Sequence, residues 1–101
     1  MTTDDDLSGA LPPFQPDQAL QTLKREMRAL GLTEREGRFE RRGMAIARAA
    51  AAGAVLQAAR VKRPSRDSPQ WLDKPLTNSA DLRHFVADLK KQLALWNDSD
   101  D

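Results

Sequence analysis

Between residues 33 and 63 the chain carries two signals for opposite folds, and whichever prevails decides the fold class. Half of residues 44–61 are alanine, the best helix former. Thr33 and Glu36 stand at the spacing of a capping box. On a helical wheel Phe39, Gly43, Ile46, Ala50, Ala54 and Val61 fall along one side. Arg38, Arg41, Arg42, Arg48, Arg60 and Arg63 gather on the opposite half, as in an amphipathic helix. Against the helix stand Gly37, Gly43 and Gly53, each costing about 0.5–1 kcal/mol inside one. Met44, Val55 and Leu56 also sit off the apolar stripe. Those residues suit a β-hairpin that pairs 44–48 with 55–61 through Ala51-Ala52-Gly53. Alanine, however, is depleted in strands, and Ala49 to Ala52 carries no turn signal of its own. On propensity and pattern together a helix over 33–62 is expected, broken or kinked near Gly53.

The flanking segments read more simply. Leu20, Leu23, Met27 and Leu30 recur at three- and four-residue steps, which predicts a helix over 16–30. Pro16 fits its first turn, and Gly31 supplies the left-handed residue that ends it. A second helix is expected over 79–96, capped by Asn78 or Ser79, with Asp81 in its first turn. Leu82, Phe85, Val86, Leu89, Leu93 and Trp96 form its apolar stripe. Prolines 64, 69 and 75 predict a loop between the middle segment and this helix, anchored to the bundle by Trp71. The expected fold is therefore all-α, a small three-helix arrangement. The alternative is α+β, with 38–62 as a β-hairpin between two helices. Leu23, Met27, Leu82, Phe85, Leu89 and Leu93 are the expected core.

At 101 residues the chain has room for one small domain, placed at 16–96. A net charge of +1 conceals a strong asymmetry. Residues 1–17 hold four Asp and no base; residues 35–66 hold eight Arg and Lys62 against Glu36 and Glu40, a net of +7; Asp98, Asp100 and Asp101 close the chain. Residues 1–15 and 97–101 are expected to be disordered acidic tails. The N-terminus is acidic where a secretory signal would be basic, and no stretch is long and apolar enough to span a bilayer, so a cytoplasmic protein without a membrane role is expected.

Catalytic chemistry has little to work with. Cysteine is absent, which excludes thiolate nucleophiles and thiolate metal sites. His84 is the sole histidine and reads as a residue at the edge of an amphipathic helix face. No glycine cluster could cradle a phosphate, and Asp98-Ser99-Asp100-Asp101 lacks the glycine and closing glutamate of a calcium loop. Neither an enzyme, a cofactor, a metal nor a small-molecule substrate is expected. Ser65 and Ser68 lie in a basic, proline-flanked context of the kind kinases read. The basic middle is the one constellation with chemical content. Guanidinium groups bind phosphates bidentately, so Arg38, Arg41, Arg42, Arg48, Arg60, Lys62, Arg63 and Arg66 are the candidate nucleic-acid-binding residues. The expected function is a non-enzymatic accessory or regulatory protein that binds DNA or RNA. The alternative is a protein-interaction module (adaptor, inhibitor or chaperone-like) with a protein partner or a second copy and no nucleic-acid role.

Overall fold

In a computed structural model, which describes residues 13–99, the middle of the chain is β-sheet. The elements run α1 (Pro16–Ala29), β1 (Thr33–Arg35), β2 (Arg38–Arg41), β3 (Met44–Ala52), β4 (Val55–Val61), β5 (Trp71–Asp73) and α2 (Ser79–Ser99). The strands form one antiparallel meander in sequence order, and both helices pack on one of its faces. The fold is thus α+β, which overturns the all-α expectation and the helix over 33–62. The α+β alternative had the right class, but it placed one hairpin over 38–62, where three strands form, and it did not include β1 or β5. The expected tails fall mostly on residues 1–12 and 100–101, outside the described residues, and α2 runs three residues past its expected end at 96.

Turn geometry explains why the alanine-rich stretch is extended. Three successive strand pairs are closed by two-residue turns: Glu36-Gly37, Arg42-Gly43 and Gly53-Ala54. The first two have positive φ at both positions, 52° and 79°, then 56° and 76°, the pattern of the type I′ turn whose twist matches antiparallel strands. Gly53, at φ 61°, opens the third. The glycines that would have weakened a helix are the residues these turns require. Ala51 and Ala52, proposed as part of the hairpin turn, instead end β3. β5 forms inside the stretch that the prolines marked as loop, between Pro69 and Pro75.

Burial supplies the driving force. Leu23, Met27, Phe39, Ile46, Leu56 and Leu89 are essentially inaccessible and belong to one cluster, with Ala47, Ala49 and Ala58 among them. Burying each large side chain is worth about 1.5–3 kcal/mol, whereas the gain from alanine over an ordinary residue in a helix is at most about 0.7 kcal/mol. Leu56, off the stripe in the helical reading, is fully buried from the sheet. All six expected core residues, Leu23, Met27, Leu82, Phe85, Leu89 and Leu93, are buried. A β-bulge between Phe39 and Glu40, where the register steps from Ala47 to Ala45, skips Ile46 and adds local twist.

The start of α2 is tied down reciprocally. The Asn78 side chain accepts the Asp81 N–H at 2.8 Å, and the Asp81 carboxylate accepts both the N–H and the hydroxyl of Thr77, each at 3.0 Å. These bonds, the backbone one foremost, hold the Asp81 carboxyl below its ordinary value. The folded state therefore favours the ionised form. Its contribution is present above the ordinary aspartate value and lost as pH falls through the lower folded value.

Two measurements check this account. Leu89→Ala should destabilise the domain by about 2–5 kcal/mol in denaturant unfolding, because the removed side chain is wholly enclosed. Asp81→Asn should narrow the loss of melting temperature between neutral and acidic pH relative to the parent; an unchanged acid limb would mean that the Thr77 bonds carry no linkage.

Candidate interaction surface

The antiparallel register divides the basic segment between two faces. Arg35 pairs with Arg38, Arg38 with Arg48, Arg48 with Ala59, and Ala59 with Asp73. Directly opposed residues share a face, so Arg35, Arg38 and Arg48 form a row across three strands, on the side away from the helices. All three are exposed. Arg35 belongs to the basic segment but was not among the candidate site residues. No sequence spacing links it to Arg48; only the strand register does.

The remaining candidates lie elsewhere. Arg60 projects from β4 toward the helices. Its Nε donates to Asp88 Oδ2 of α2 at 2.6 Å and its Nη1 donates to the Val61 carbonyl at 2.9 Å, with only 12% of the side chain exposed. This is a strut between sheet and helix. Arg41 is half-buried, and its Nε lacks a hydrogen-bond partner. Arg42 occupies a turn. Lys62, Arg63 and Arg66 follow β4 in the loop to β5 and are exposed. The single continuous arginine face expected from the helical wheel does not exist, because that wheel does not apply to strands.

Arg48 is the best-held member of the row. Its guanidinium lies 4.3 Å from the centroid of the Trp71 ring, within the range of a cation–π contact, and its Nη2 stands 3.9 Å from Asp73 Oδ1. Ala59, the cross-strand neighbour of both Arg48 and Asp73, is 2% exposed beneath this group. Trp71 therefore anchors to the outer face of the sheet, and not to the helices. Toward the β3–β4 tip the same face carries Ala50, Ala52, Val55 and Gln57. A solvated face of an antiparallel sheet usually alternates polar residues outward; here Gln57 is the polar one of the four.

Two depressions border the helices. One, of about 1150 Å³, opens where the N-terminal ends of the helices meet, between Phe14, Gln18 and Thr22 on one side and Asn78, Ala80 and Arg83 on the other. It is lined by no pair of acid and base. The other, of about 360 Å³, is edged by His84 with Asp73, Asp81 and Asp88. Each of those carboxylates is already engaged, by Arg48, Thr77 and Arg60 respectively. Among the described residues no group of His, Asp and Glu is placed to hold a metal ion, and no helix is long and apolar enough to cross a membrane.

Comparison with known proteins returns no match: no family model matches the sequence, and no curated protein or solved structure matches the chain.

The division of the arginines is checked by paired substitutions. Arg60→Ala should cost about 1.5–3 kcal/mol, the range for a hydrogen bond to a charged partner. Arg38→Ala should leave stability within about 0.5 kcal/mol, or raise it slightly by relieving like-charge contact. Equal losses at both positions would contradict their assignment to opposite faces.

Proposed function

We propose that this protein is a protein-interaction module that presents the open face of its sheet. One observation carries the reading: both helices cover the same face, leaving a face on which an arginine row adjoins a small apolar area. Interfaces characteristically combine such a patch with arginine and aromatic side chains. The surroundings of the row favour a protein over a nucleic acid. A phosphate backbone is bound through a continuous basic track. Here Glu40 and Asp73 share the face with the row, Glu36 borders it, and Arg60 is committed to Asp88 on the other side.

Two experiments test the proposal together. Titration with duplex DNA and single-stranded RNA at about 50 and 200 mM salt should give no saturable binding; a steep loss of affinity with salt would restore the nucleic-acid reading. Affinity capture from cells of the source should recover a protein partner with the parent chain, and lose it with Arg38→Glu combined with Gln57→Arg. Lys90→Glu with Lys91→Glu, on exposed positions of α2, should retain it. Loss with the helix variant and retention with the sheet variant would move the interface to the helical side.

A further inference from the structure

Resting on the interaction reading above, we propose that the open face recognises an extended polypeptide segment with an acidic C-terminal end. The segment adds as a strand to the outer edge of β3 beside Ala49–Ala52 and delivers its carboxylates to Arg35, Arg38 and Arg48.

The edge is the first observation. β3 has nine residues, but its pairing with β2 reaches only Arg48, beyond which the Ala49 N–H donates to the Gly37 carbonyl at 3.0 Å. Main-chain groups of alternate residues point to the same side of a strand, so those of Ala51 face outward past the end of β2. No partner meets them among the described residues. Proteins guard such edges with charge, proline or a bulge. β5 lies between Pro69 and Pro75, and β1 is a three-residue strand bearing Glu34 and Arg35. From Ala49 to Ala54 the β3 edge and its tip hold only alanine and glycine. Unpaired main chain of this kind, donor and acceptor side by side along an edge, is matched by another polypeptide strand.

The arginine row is the second observation, and it selects the charge of the occupant. Like charges directly opposed across strands destabilise a sheet, yet Arg35, Arg38 and Arg48 are opposed in succession. Arg48 has Asp73 at 3.9 Å, whereas Arg35 and Arg38 have no acidic partner within 4.0 Å among the described residues. A carboxylate set between them would relieve this repulsion and accept charge-assisted hydrogen bonds. Glu36 in the adjoining turn and Asp73 at the far end of the row confine an anion to the three arginines.

Geometry joins the two. Arg35 and Arg38 flank the Glu36-Gly37 turn, and that turn abuts β3 so closely that a Cβ on Gly37 would lie 3.1 Å from the Ala49 carbonyl oxygen. A strand running antiparallel to β3 from the hairpin tip is therefore directed at the turn, and its C-terminal end arrives beside the row.

The probe is a synthetic peptide, Thr-Val-Thr-Val-Glu-Glu-Glu with a free C-terminus, titrated calorimetrically into the full chain. Saturable binding is expected, weakened about tenfold or more by Arg38→Gln with Arg48→Gln and by replacing the three glutamates with glutamine. Ala51→Pro removes an outward N–H that the β3–β4 ladder does not use, and should weaken binding to a similar degree with the circular dichroism unchanged. Should that variant unfold, a peptide N-methylated at alternate residues probes the same pairing without altering the protein. Binding that depends on the arginines but ignores both Ala51→Pro and N-methylation would overturn strand addition and leave the interaction reading standing. Absence of any binding by the peptide would overturn the inference, while capture of a partner through the open face separately decides the broader reading.

Discussion

The two helices lie against the sheet because its central floor is made of alanine. Ala47, Ala49 and Ala58 sit buried in the same cluster as Leu23 and Met27 of α1 and Phe85 and Leu89 of α2. Small side chains at these positions leave room for the large ones, and close packing of this kind is what a core of modest apolar content has to rely on. Larger residues would hold the helices off the strands and forfeit contacts across the whole layer. The composition that suggested a helix thus serves a sheet with helices stacked on it.

That packing gives the sheet two unlike faces, and the division settles what each charge does. On the covered side Arg60 reaches Asp88 and the Val61 carbonyl, so its guanidinium is a structural tie with little exposure. On the uncovered side Arg48 lies over Trp71 beside Asp73, and with Arg38 and Arg35 it faces water. Alternation along a strand is enough to send Arg48 and Arg60 in opposite senses: Arg60 stands opposite Ala47, one residue from Arg48. The row on the outer face exists because two short hairpins, β1–β2 and β2–β3, bring residues 35, 38 and 48 level.

Elements with strong local signals were legible in the sequence. The three- and four-residue spacing of Leu20, Leu23 and Met27, closed by Gly31, identified α1; the stripe from Leu82 to Leu93, with Asn78 before it, identified α2. Both signals are local, and the structure satisfies them with the same residues. The strands were not legible in the same way. A wheel could sort six arginines onto one side because spacings of three, four and seven arise by chance in a segment so rich in Arg and Ala. Glu36-Gly37 and Arg42-Gly43 were the better guide. An X-Gly pair every six residues is costly to a helix and ordinary for hairpins. Leu56, unplaced on the helical stripe, pointed the same way.

By itself the sequence determined where α1 and α2 begin, the residues they bury and the concentration of basic charge in the middle, because these depend on neighbours within a turn or two. Tertiary structure alone decided that the middle is extended, which face each arginine occupies, and that an edge of β3 is left without a strand among the described residues. Those outcomes depend on pairing between residues distant along the chain. Shifting the register by one residue would exchange the two faces of a strand, so the location of the candidate surface could be read only once the strands had been aligned.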